Sequence, residues 1–111
     1  MTELTKLVEK RHGPFKPDMV VDETLILRGP YKLDNSAVYE GQWSDAGQRH
    51  GVGKQVWPDG SKYEGQWAHD KVNGKGRLIH NDGSMYQGEW HDDMTHGTGT
   101  YTRLNGAAYV G

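Results

Sequence analysis

YEGQW at residues 39–43 recurs letter for letter at 63–67, returns as YQGEW at 86–90, and begins again as YVG at 109–111. Measured from tyrosine to tyrosine, the steps are 24, 23 and 23 residues. A fixed step in this range is the mark of one supersecondary unit stacked on copies of itself. The extra residue of the first unit falls between Trp43 and Gly51, where SDAGQRH (44–50) stands against AHDKVN (68–73) and HDDMTH (91–96). An insertion tolerated there marks a loop.

Aligned on the tyrosines, each unit reads Tyr-x-Gly-x-Trp, a polar loop, Gly-x-Gly, a few mixed residues and a glycine-centred turn. The turns are PDGS (58–61), NDGS (81–84) and LNGA (104–107). Asp-Gly and Asn-Gly accept positive φ at both centres of a type I′ turn, so each should close a hairpin. The pairs expected are 51–57 with 62–67, 74–80 with 85–90, and 97–103 with 108–111. Alternation along a strand puts Tyr39, Gly41 and Trp43 on one face, and likewise Tyr63, Gly65 and Trp67, and Tyr86, Gly88 and Trp90. A glycine between two rings leaves a socket for an aromatic of the adjacent unit. The glycines of Gly-x-Gly (Gly51 and Gly53, Gly74 and Gly76, Gly97 and Gly99) and of the turns (Gly60, Gly83, Gly106) recur at the same step, which assigns them to the backbone.

The chain before Tyr39 carries a worn copy. Gly29 precedes Tyr39 by ten residues, the separation also found from Gly53 to Tyr63, Gly76 to Tyr86 and Gly99 to Tyr109. Upstream, Leu4, Leu7, Val8 and Arg11 sit at helical spacing before a Gly13-Pro14 stop. FKP (15–17) reads as a linker and MVVDETLILRG (19–29) as one or two strands. The organisation expected is an N-terminal extension over 1–28 and an array over 29–111. The array divides into a half-repeat 29–38, repeats 39–62, 63–85 and 86–108, and a truncated copy 109–111. The unfinished last copy implies an excerpt of a longer array or a strand that pairs with a partner.

In a chain of 111 residues, Leu, Ile, Val and Phe number only 18, but the net charge is −2 and there are 16 glycines and four tryptophans. Low aliphatic content without excess charge points to tight turns and aromatic contacts rather than disorder. Thirteen basic against fifteen acidic residues provide no cationic field for nucleic acid. There is no cysteine for a disulfide scaffold or thiolate chemistry. No apolar run approaches the roughly 18 residues that span a bilayer.

The remaining motifs do not assemble a reaction centre. Five residues separate Gly47 from Gly53-Lys54, whereas a P-loop has four and a Ser or Thr after the lysine. His50 and His96 occupy equivalent positions two units apart, too far to share an ion. His69, His80 and His91 show no ligand spacing, and Asp92-Asp93 no calcium-loop spacing. Ser44, Ser61 and Ser84 are turn residues without a nucleophile's strand-turn-helix context. No catalytic residue, metal or cofactor is expected.

Tyr-x-Gly-x-Trp, Gly-x-Gly, a DG turn and a 23-residue step together resemble the MORN (membrane occupation and recognition nexus) repeat, closely over 39–111 and loosely over 29–38. The resemblance implies an all-β fold, an elongated single-layer antiparallel meander of β-hairpins, here with a short N-terminal helix or extended segment. It also implies a non-catalytic scaffold in a larger cytoskeletal or ciliary assembly of the cytoplasm. The partner expected is another protein, offering a peptide, helix or edge strand to a groove lined by Tyr39, Trp43, Tyr63, Trp67, Tyr86 and Trp90. Two alternatives are peripheral binding to acidic phospholipid, for which the attraction must come from a local cluster such as Lys71, Lys75 and Arg77, and targeting of an enzyme encoded further along the chain.

Overall fold

A computed structural model describes residues 2–13 and 25–111. The linker expected at 15–17, and the part of 19–29 before Leu25, lie outside them. One helix, α1 (Glu3–His12), is followed by eight strands: β1 (Ile26–Lys32), β2 (Val38–Trp43), β3 (Arg49–Val56), β4 (Lys62–Ala68), β5 (Lys71–Ile79), β6 (Met85–His91), β7 (Met94–Thr102) and β8 (Ala108–Val110). The strands form one sheet in chain order, every neighbour antiparallel. The fold is thus the all-β single-layer meander with a short N-terminal helix.

The two rows of turns correct the sequence reading. At the DG end only the glycine has positive φ: Gly60 at 93°, Gly83 at 89°, Gly106 at 94°. In each, the glycine N–H bonds three residues back and the entry residue bonds four ahead, as in Gly60 N to Trp57 O and Trp57 N to Ser61 O. This is a type I turn followed by a left-handed bulge residue, not type I′. In the first of the three, Pro58 follows the entry residue and its ring, holding φ near −65°, suits the type I geometry. The type I′ turns lie at the other end, in stretches read as polar loops. His69 (51°) and Asp70 (70°) close β4 to β5, and Asp92 (46°) and Asp93 (69°) close β6 to β7. The one-residue insertion of the first unit exchanges this turn for the longer type, with Gly47 at 77°.

A second irregularity recurs inside each unit. Opposite Gly-x-Trp the register jumps, from Gly41↔Gly53 to Trp43↔Arg49, from Gly65↔Gly76 to Trp67↔Val72, and from Gly88↔Gly99 to Trp90↔Thr95. Two extra residues bulge from the longer strand each time. Such bulges bend a strand and increase its twist.

Helix α1 is capped by Thr2, whose side chain accepts from the Thr5 N–H, and stops at Gly13 with φ of 77°. It buries Val8 against Ile79 and Met85, and leaves Leu7 exposed. Glu9 pairs with Lys62, and Arg77 donates to the Gly13 carbonyl. The helix therefore covers the face opposite the rings, since Ile79 and Met85 pair beside the ring-bearing row Leu78↔Tyr86.

Candidate functional site

The ring face is a ladder of edge-to-face contacts. Tyr31, Trp43, Tyr39, Trp67, Tyr63, Trp90 and Tyr86 follow one another with centroids 5.6, 5.0, 5.3, 5.3, 5.7 and 5.1 Å apart. Such pairs contribute about 0.5–1.5 kcal/mol each beyond their buried area. Each tyrosine leans over the second glycine of its Gly-x-Gly: a methyl group at Gly53, Gly76 or Gly99 would enter the ring of Tyr39, Tyr63 or Tyr86. The phenol hydroxyls donate to the carbonyls of Gln42, Gln66 and Glu89 at 2.7, 2.9 and 3.2 Å. Burial pushes the Tyr39 and Tyr63 phenols well above the ordinary tyrosine range, with a smaller rise at Tyr86.

Of the six rings expected to line a groove, Tyr39, Tyr63, Trp67 and Trp90 are buried, while Trp43 and Tyr86 remain partly exposed. The Trp67 indole N–H donates to the Gly53 carbonyl at 3.1 Å and that of Trp90 to Gly76 at 3.2 Å. Both rings are therefore also joints between units. Lys71 and Lys75 are exposed, whereas Arg77 is buried beneath the end of α1, so the three do not form one surface cluster.

Three groups of working residues escaped the sequence reading. The residue before each tryptophan caps the bulge: Gln42, Gln66 and Glu89 accept from the N–H groups of Val52, Lys75 and Thr98 at 2.9, 2.7 and 3.1 Å. A type I′ turn aspartate hooks each unit to the one before. Asp70 accepts from the Arg49 N–H at 3.1 Å and returns its own N–H to Arg49 O at 2.9 Å; Asp93 does the same with Val72 at 2.8 and 3.0 Å. The recurrence of Gln/Glu before Trp, and of Asp at a 23-residue step, was the available signal. The third group lines the concavity. Arg49 lies over the Trp67 ring at 4.6 Å and is held by Asp70 at 2.7 Å, with Gln55, Trp57 and Leu78 beside it.

A cavity of about 300 Å³ is bounded by Arg49 and Asp93 at one end of the strands, by Trp57 and Asn35 at the other, and by Gln55 and Leu78 between. Residues from both strand ends share one cavity because the bulges curl the sheet across its width. Among the described residues no group of three or more His, Cys, Asp or Glu could hold a metal ion, and no helix is long and apolar enough to cross a membrane.

Comparison with known proteins agrees with the geometry. A family model described as the MORN repeat matches residues 39–62, 63–85 and 86–107. The MORN repeat-containing protein 4 homolog of Drosophila melanogaster is 36% identical over 39 residues, 35% of this chain and 20% of that protein. This chain thus matches about a fifth of that relative's length. With three consecutive matches over most of its length, carried by the rings and glycines that build the ladder, the chain belongs to the MORN repeat family.

Proposed function

We propose that the array is a non-catalytic scaffold that holds a peptide or helix of a partner protein along its concave face, within a larger assembly. Repeat arrays of this family generally act as interaction modules, which supports the reading. The observation that carries it is a cavity lined from both strand ends. Trp43 and Tyr86, with Trp57 and Leu78, supply direct contact, while Tyr39, Tyr63, Trp67 and Trp90 hold the floor in shape.

The pitch of the array favours a helical occupant. Successive units repeat every two strands, about 10 Å along the groove. An α-helix rises about 10.5 Å in seven residues, so side chains seven apart meet equivalent positions of successive units. An extended strand returns to one face every second residue, at about 6.6 or 13 Å, and falls out of step. A cytoplasmic cytoskeletal or ciliary assembly is the setting that the family resemblance suggests.

Alanine replacements at Trp57 and Leu78, against Lys54→Ala, test this, because Lys54 pairs with Glu40 on the other face. A partner recovered by photocrosslinking from position 57 should bind the first two variants at least about tenfold more weakly, with far-UV circular dichroism unchanged. Equal affinity of all three would remove the groove from the account. Trp67→Ala serves as the control for a floor residue and should lose fold and binding together.

A further inference from the structure

Beside the aspartate hook, each type I′ turn grips the preceding unit at a second point. The first residue of the turn donates its backbone N–H to the side chain that stands just before the Gly-x-Gly of that unit. Between the second and third units the acceptor is Asn73, whose Oδ1 takes the Asp92 N–H at 3.0 Å. Between the first and second it is His50, whose Nδ1 takes the His69 N–H at 3.2 Å. The two joints share a geometry and differ in chemistry. An amide oxygen accepts at any ordinary pH, whereas an imidazole nitrogen accepts only while it carries no proton. Imidazole is the side chain that changes charge between about pH 5 and 8.

The turn held by this bond needs holding. His69 and Asp70 both have left-handed backbone, at φ of 51° and 70°. Such residues persist where their surroundings fix them. The His50 and His69 rings meet edge to face with centroids 5.2 Å apart, so a proton on each would set two cations together. The other ionisable side chains on the elements around His50 are Asp45 of the β2–β3 turn, Arg49 of β3, Asp70 of the β4–β5 turn and Lys71 of β5. Arg49 and Asp70 are paired with each other. The side chains that share a cavity with His50, those of Leu25, Gln66, Trp67 and Asn73, do not titrate.

We propose that the joint between the first and second units is an acid-sensitive latch, in which a proton on His50 removes the acceptor of the His69 N–H and frees the turn from β3. Asp70 belongs to that turn, and the Arg49 that it holds lies over Trp67 in the concavity. Acid therefore reaches the concave face at this rung, while the Asn73 joint stays closed. The latch stands whatever occupies the groove.

Amide hydrogen exchange of the 111-residue protein, resolved by NMR at about pH 7.5 and about pH 5 and corrected for intrinsic rates, measures both joints at once. Protection of the His69 amide should fall about threefold to tenfold on acidification, as the loss of one hydrogen bond would give, and protection of the Asp92 amide should not follow. His50→Asn gives the first joint the acceptor of the second and should abolish the fall. His69→Asn removes the second ring, keeps the backbone N–H in a residue that tolerates the left-handed turn, and should retain the fall. Equal protection of amide 69 at the two pH values, or a fall that persists in His50→Asn, would overturn the latch. A fall that vanishes in His69→Asn would assign it to repulsion between the rings and overturn the bond as its origin.

Discussion

The first rung of the ladder and the two that follow share the same letters and differ in what lies beside them. At the second and third, glycine faces glycine across β3 and β4 (Gly53↔Gly65) and across β5 and β6 (Gly76↔Gly88). At the first, arginine faces Gly41 and the strand buckles at Gly29-Pro30. The consequence is an indole without an acceptor and a glycine with open space around it. The difference teaches that the stability of the repeat resides in the joint between units rather than in the unit. Such arrays are sums of neighbour terms, and a worn neighbour subtracts one.

The largest expected effect tests the joint directly. A methyl at Gly76 runs into the Tyr63 ring, whereas one at Gly29 meets nothing within 4 Å. Gly76→Ala should cost about 3 kcal/mol, the upper end for overpacking, because the obstructing ring is itself buried. Gly29→Ala should change stability by no more than about 0.5 kcal/mol, as surface substitutions do. Urea unfolding gives both numbers, and equal losses would abolish the distinction between the rungs.

A smaller contrast separates the indoles. Trp90→Phe removes a hydrogen bond and bares the Gly76 carbonyl, while Trp43→Phe removes a donor that had no acceptor. Both lose ring volume, Trp90 from the more buried site, and the lost bond adds to that difference. Trp90→Phe should be the more destabilising by about 1–2 kcal/mol in the same unfolding experiment. A Trp43→Phe loss as large would mean that its N–H is met in solution.

Alkaline titration sharpens the comparison along the ladder. The Tyr63 phenol is raised chiefly by burial, and a raised pKa means that the folded state holds its proton more tightly than the unfolded chain does. That contribution is complete below the unfolded value of about 10 and is lost as pH climbs past it. Tyr63→Phe should therefore flatten the fall in stability above about pH 10, and Tyr86→Phe, at the more exposed rung, should flatten it less. Identical alkaline limbs for the two variants would contradict the burial difference.

How much of this was legible from the chain depends on how local each cause is. The strands and their order were, because glycine and aromatic positions repeat at a step that only stacked hairpins satisfy. The turn types were inverted. Asp-Gly suggests type I′, but all three turns close over a five-residue span as a type I turn with a glycine bulge, with proline or without it. The true type I′ turns carry no glycine at all. His69-Asp70 and Asp92-Asp93 accept left-handed backbone because Asp70 and Asp93 are held by Arg49 and Val72 of the preceding unit. Those partners are 21 residues away, and no local pattern announces them. The helix shows the same limit: its spacing offered Leu4, Leu7 and Val8 alike, and Ile79 and Met85 take Val8 while Leu7 stays exposed.

The smallest expected effect concerns the charge on one of those hooks. Hydrogen bonding from Arg49 holds the Asp70 carboxyl below the usual carboxylate range, against a weaker opposing effect of burial. A depressed pKa contributes stability that is present above the unfolded value of about 3.9 and disappears as pH falls through the folded one. Asp70→Asn keeps an oxygen for the Arg49 N–H and suits the left-handed backbone at φ of 70°, which asparagine tolerates well. What it removes is the ion pair with Arg49, half exposed and thus contributing only about 0.2–1 kcal/mol. The variant should be weaker than the parent by that amount at neutral pH, and the gap should close below about pH 4 as the parent's carboxyl takes up its proton. A gap that stays constant into acid would assign the loss to the turn's geometry instead, making Asp70 a backbone device whose charge is incidental, as Asp93, with only Val72 to hold, already shows a hook can be.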